Sequence, residues 1–118
     1  MLMGEAPVRF ECKAVLDRFR CARCCEWCGR CVSRAEPHHF YHKRGMGAGS
    51  QLDIPENLVS LCTLCHHAAE NLCPSPSAPE RGRVTREALV EIVARRERWE
   101  ETALKCWLTL LGRARARA

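Results

Sequence analysis

Residues 56–66 read ENLVSLCTLCH, and a strand, a cysteine pair and a helix meet inside them. Leu58, Val59, Ser60 and Leu61 form a short, mostly apolar run, the returning strand of a hairpin. Cys62 and Cys65 follow at C-x-x-C spacing. From about 63 to 71 the chain reads as a short helix. His66 and Glu70 stand four residues apart on it and therefore share a face.

A C-x-x-C pair needs a second pair to complete a tetrahedral, all-cysteine zinc site. Working back along the chain, residues 21–31, CARCCEWCGRC, offer three overlapping candidates. A knuckle of this kind bends back sharply, and a glycine just after its second cysteine makes the bend cheap. Only Cys25 and Cys28 are followed by glycine, Gly29. Cys25, Cys28, Cys62 and Cys65 are thus the expected ligands of one structural Zn²⁺. The rival set, Cys21, Cys24, Cys28 and Cys31, would leave a well-spaced second pair without a role. Cys12, Cys21, Cys24, Cys31, Cys73 and Cys106 are then spare thiols, with small buried hydrophobes as their default role.

Composition agrees with a small metal-stapled domain. The chain has 118 residues with ten cysteines, and its apolar content of 47% includes only 6% aromatics. A cysteine-rich region of this size struggles to build a sufficient core unaided. No apolar run near the N-terminus could serve a secretory signal, and no stretch reaches the length of a membrane span. A cytoplasmic location is therefore expected, where paired cysteines are more often zinc ligands than cystines. A disulfide-rich secreted domain would call for an export signal. The net charge is +5, with 16 arginines against three lysines. Arginine suits bidentate grips on phosphate, so this balance permits a nucleic-acid partner without proving one.

The flanks are helical. Residues 8–20, VRFECKAVLDRFR, predict a short amphipathic helix near 11–19. Residues 21–73 form the zinc-stabilised core, and 74–82, PSPSAPERG, read as a Pro/Ser linker. From 83 to 112 the pattern predicts one long amphipathic helix, capped by Thr85 and ended by Gly112, with Arg96 interrupting its apolar stripe. Residues 113–118 are a basic tail. The long helix either docks on its own domain or pairs with a second copy.

From the first cysteine pair to the second the chain carries CEWCG, then PHHF, then ENLVSLCTLCH. In this order and spacing, over about residues 25–71, the chain resembles the HNH endonucleases, the ββα-metal nucleases with a zinc-stapled core. Asn57 precedes His66 by nine residues, as that family's asparagine precedes its final histidine. The resemblance implies an α+β fold, a treble-clef-like ββα-metal core with an N-terminal helix and a long C-terminal helix. It implies a division of labour in which His38 and His66 bind a catalytic divalent cation, Mg²⁺ or Mn²⁺. His39 would be the general base on water, and Asn57 would hold the connecting loop and so orient His39. A neutral imidazole is a competent base near pH 7. His38 and His39 alternate across a strand, so a twist is needed for both to serve one site.

The family often carries a further histidine where Glu70 stands, so Glu70 is either a third ligand favouring hard cations or no ligand at all. Lys43 and Arg44 are candidate contacts to the DNA backbone, and His42 and His67 read as solvent-facing. The expected activity is hydrolysis of DNA phosphodiesters to 5′-phosphate and 3′-hydroxyl ends. Small HNH proteins of this kind are similar to those of bacteriophages and bacteria, some of which act with genome-packaging proteins. The competing class is a non-catalytic zinc module that binds nucleic acid or a protein partner. A purely structural module has no reason to carry His38, His39, Asn57 and His66 together.

Overall fold

The computed structural model describes residues 11–42 and 52–117, with side chains described through residue 112. Helix α1 spans Lys13–Arg20, strand β1 Glu36–His39, strand β2 Leu58–Leu61 and helix α2 Thr63–Asn71. Helices α3 (Arg86–Glu97) and α4 (Glu101–Arg117) complete the chain. The two strands pair antiparallel, with His38 opposite Val59 and His39 opposite Leu58. Among the described residues no helix is long and apolar enough to cross a membrane.

A two-stranded ribbon of four-residue strands is unstable alone in water. Here every residue of β2 is buried, so the strand is covered on both faces. Val59 and Leu61 pack into a core with Phe40, Trp27, Val84, Leu89, Val90, Val93, Leu104 and Leu108. The amphipathic flanks therefore supply the apolar cover that the cysteine-rich segment lacks.

The C-terminal region departs from the single helix that its periodicity predicts. Arg98 takes a left-handed conformation (φ +62°) and ends α3. Glu100 then starts α4, its carboxylate accepting from the N–H groups of Thr102 and Ala103, both at 3.0 Å. Those two donors hold the Glu100 carboxyl below its usual range. The turn lets Trp99 fold against Trp107, with ring centroids 5.2 Å apart. No glycine or proline marks the break, so periodicity reads straight through it.

Gly112 does not end a helix either, because α4 continues to Arg117. Its role is close approach. A Cβ at Gly112 would lie 2.3 Å from the His42 ring. The His42 Nε2 also sits 2.7 Å from the Leu108 carbonyl, so His42 docks α4 and is not solvent-facing. Tyr41 adds a hydroxyl contact to Thr109 at 2.7 Å. The basic 113–117 stretch thus belongs to the helix backbone.

Arg96 is a tether and not an interruption of the stripe. Its guanidinium reaches both carboxylate oxygens of Glu26 at 2.8 and 2.9 Å and donates to the Leu58 and Pro55 carbonyls. Glu26 in turn accepts from the Ser60 N–H at 2.7 Å. One side chain therefore links α3, β2 and the first cysteine knuckle. Arg96→Ala should lower unfolding free energy by about 2–3 kcal/mol, since charged hydrogen bonds are lost and Glu26 keeps its charge. Urea titration of both proteins checks this; a change below 0.5 kcal/mol would make the tether decorative.

The 74–82 segment is packed and not a free linker. Ser75 and Ala78 are buried, Pro79–Arg81 form a 3-10 turn, and Arg81 lies 4.3 Å over the Trp27 ring. Helix α1 begins two residues later than its pattern suggests, and Val8 lies outside the described residues.

Candidate metal centre and histidine site

Cys25 and Cys28 stand on a tight turn. The Gly29 N–H donates to the Cys25 carbonyl at 2.9 Å, and Gly29 takes φ +77°, a conformation open to glycine. Cys62 is the residue before α2, and Cys65 lies in its first turn. The four sulfurs lie within 4.8 Å of one another, and Cys28 Sγ is 3.9 Å from Cys62 Sγ. A tetrahedral zinc with bonds of about 2.3 Å requires sulfur separations of about 3.8 Å. The cluster can therefore hold a metal ion such as zinc.

Burial pushes the Cys28 and Cys65 thiols up, Cys65 far up. Cys62 behaves differently. Burial pushes it up as well, but the Cys65 N–H and the thiols of Cys65, Cys25 and Cys28 outweigh this and hold it at about 7. Ser75 Oγ lies 3.1 Å from Cys65 Sγ and supplies a further hydroxyl donor to a thiolate there.

The rival set of Cys21, Cys24, Cys28 and Cys31 does not form. Cys24 and Cys31 pair across an isolated antiparallel bridge and are not part of the four-sulfur cluster. Cys21, Cys24, Cys31, Cys73 and Cys106 are exposed and Cys12 is half-buried, so the spare thiols are not core hydrophobes.

Alternation along β1 places Glu36 and His38 on one side and His39 on the other. On the first side, His38, His66 and Glu70 bring ligand atoms within 4.8 Å of one another. The His38 and His66 rings meet edge-on at 5.0 Å, and His66 Nε2 lies 3.7 Å from a Glu70 oxygen. Glu36, which sequence reading passed over, accepts from His66 Nδ1 at 2.7 Å and from the Thr63 hydroxyl at 2.7 Å. With Nδ1–H held there, Nε2 keeps its lone pair facing Glu70 and His38, as metal-binding imidazoles require. Burial raises the Glu36 carboxyl, but the bonds from His66 and Thr63 prevail and hold it below the usual carboxylate range. The hint in the sequence was Glu-Pro-His, since residues two apart on a strand share a face.

His39 is not in that cluster. Its Nε2 lies 2.7 Å from Asp53 Oδ1, and both side chains are buried, at 7% and 1% exposure. The other Asp53 oxygen accepts from the Cys12 N–H at 2.8 Å, tying the start of α1 to the pair. With Nε2–H directed at the carboxylate, Nδ1 is the nitrogen left as acceptor, the tautomer logic of a His–Asp pair. Sequence reading also missed Asp53, fourteen residues downstream across an intervening loop.

Asn57 is fully buried and satisfies four backbone groups. Its Oδ1 accepts from the N–H groups of Tyr41 and His42 at 3.1 and 2.8 Å. Its Nδ2 donates to the carbonyls of His42 and Leu52, both at 3.0 Å. The residue ties Tyr41 and His42, just after β1, to Leu52. Lys43 and Arg44 lie outside the described residues.

A cleft of about 270 Å³ opens beside His38, with Phe40, Ala69 and Leu72 on one side and Thr85, Arg86 and Glu87 at the start of α3 on the other. Thr85 caps α3 by accepting from the Ala88 N–H. Arg86 lies 4.5 Å over the Tyr41 ring. Comparison with family models, with curated proteins and with solved structures finds no match to this chain, so the site is interpreted from its own geometry.

Proposed function

We propose that the chain is a metal-dependent endonuclease of the HNH type, hydrolysing DNA phosphodiesters. The observation that carries the reading is the division between two consecutive histidines. His38 enters a histidine–carboxylate cluster suited to a divalent cation, while His39 is held by a buried carboxylate with one nitrogen left as acceptor. A hard cation such as Mg²⁺ or Mn²⁺, held by His38, His66 and Glu70, would stabilise charge on the phosphate and on the leaving oxygen.

His39 lies on the other side of β1 from the cation cluster, so the twist of the ribbon must bring its Nδ1 to the water that attacks the bound phosphodiester. There Nδ1 takes a proton as the water oxygen bonds to phosphorus. The P–O3′ bond breaks and the departing 3′ oxygen takes a proton from solvent water, leaving a 5′-phosphate and a 3′-hydroxyl. Asp53 keeps His39 in the required tautomer and stabilises the imidazolium that results. Asn57 acts through the backbone, fixing the segment that follows the two histidines. The four cysteines would hold a structural zinc, whose shell they fill. The cleft beside His38, with Arg86 and the capped start of α3 on its wall, suits a phosphodiester strand approaching the cation.

The direct experiment is incubation of purified protein with supercoiled plasmid, with Mg²⁺, Mn²⁺ and EDTA in parallel. Nicked or linear product formed with metal and absent with EDTA is expected. Glu36→Gln should leave the fold intact and weaken Mn²⁺ binding by about 10- to 100-fold, because it loses the charged partner of His66. Mn²⁺ titration followed by electron paramagnetic resonance reads this.

A second reading rests on the near-complete burial of His39 and Asp53. Such a pair can serve as an internal cross-link in a zinc module that binds nucleic acid without cutting it. Plasmid that is retarded on a gel yet remains supercoiled with every metal would favour that module.

A further inference from the structure

We propose that Cys24 and Cys31 are a modification site, a dithiol that closes reversibly to a cross-strand disulfide at the base of the first knuckle. The inference is independent of the nuclease reading. The two residues face each other across an isolated antiparallel bridge. The flanking bonds define which kind of pair this is. The Cys25 N–H donates to the Arg30 carbonyl and the Val32 N–H to the Arg23 carbonyl, both at 2.9 Å. The hydrogen bonds thus belong to the neighbours, and Cys24 and Cys31 occupy a non-hydrogen-bonded position.

Such positions bring Cα atoms to about 4.5 Å with side chains on the same face. Disulfides span Cα separations of about 4.4–6.8 Å, so closure needs only side-chain rotation. Both thiols are exposed, and neither belongs to the four-sulfur cluster. The cluster leaves these two sulfurs free to react while Cys25 and Cys28, one and three positions inward, are engaged with metal.

The oxidant is a hydroperoxide. One thiol attacks the peroxide oxygen, giving a sulfenic acid and releasing water. The second thiol displaces hydroxide from that sulfur, the S–S bond forms, and a second water leaves. Two electrons pass from the two sulfurs to the peroxide, and two equivalents of a small thiol return them by exchange, leaving as their own disulfide. The bridge closes the loop that carries Cys25 and Cys28, so it should hold the knuckle shut.

The test uses the full zinc-loaded chain with one equivalent of hydrogen peroxide, then alkylation in denaturant and trypsin. Trypsin cuts after Arg23, Arg30 and Arg34, so the bridge joins peptide 24–30 to peptide 31–34. That product is expected in the parent protein, absent in Cys24→Ser and Cys31→Ser, and reversed by dithiothreitol. Zinc release to a chelator should be about tenfold slower in the oxidised parent than in the reduced one, and unchanged in the two variants. Both variants retain all four cluster cysteines, so zinc content checks that they fold. A joined peptide that persists in Cys24→Ser would mean that a cluster cysteine reacts instead. Zinc released in step with oxidation, or no joined peptide at all, would equally overturn the proposal.

Discussion

If the chain is the nuclease proposed, His39→Ala is expected to lower the plasmid cleavage rate by roughly two to four orders of magnitude while leaving zinc content and DNA affinity unchanged. The magnitude follows from loss of the proton acceptor in the rate-limiting attack. Activity should return in part at higher pH or with added imidazole, because hydroxide or a diffusible base can take the proton. His38→Ala and His66→Ala should respond instead to higher metal concentration, since their rings converge on the cation cluster with Glu70. Asp53→Asn separates chemistry from packing. The amide keeps the shape and one bond to the His39 ring but can offer its N–H where a carboxylate accepted, favouring the wrong tautomer. It should cost much of what His39→Ala costs while the protein stays folded. A fully active His39→Ala protein would remove the base, and metal rescue at 39 with base rescue at 38 would mean that the pair is reversed.

What could be read without coordinates was local. The strand–knuckle–helix unit lay in ENLVSLCTLCH, because a buried strand, a chelating pair and a helical His-x-x-x-Glu each have short periods. Helix α2 runs over Thr63–Asn71, the range that reading expected, and the four cysteines converge. The residues that escaped act through partners distant in sequence. Asp53 meets His39 from fourteen residues away, and Glu36 finds His66 thirty residues away. Arg96 looked like a flaw in an apolar stripe because its partner Glu26 lies seventy residues earlier. Gly112 looked like a stop, since glycine commonly ends helices, but here it makes room for the His42 ring. Periodicity reports a residue's own helix and is silent about which side chain lies across from it.

The same geometry sets the expected weight of the zinc site. Cys25→Ser or Cys62→Ser should abolish zinc binding and unfold the core, removing on the order of several kcal/mol, whereas Cys21→Ser should do neither. The reason lies in how little else closes the first knuckle. Trp27 is its one large apolar side chain, and the Trp27 Nε1 is buried without an acceptor among the described residues. So short a turn buries little apolar surface of its own and depends on partners outside it. It is held by Arg96 through Glu26 on one side and by the sulfur cluster on the other. Zinc binding must also displace protons from Cys28 and Cys65, whose thiols burial pushes up, so affinity should fall as pH falls. Circular dichroism and zinc content measured across pH 5–8 read both effects together. Helix lost in parallel with zinc is the expected result, because α2 begins just after Cys62 and the strand that carries His38 and His39 pairs with β2 just before it. Retained helix after zinc removal would shift the stabilising role to the apolar packing of α3 and α4 on β2. If zinc loss instead follows Cys21→Ser and not Cys25→Ser, the cluster forms in another register.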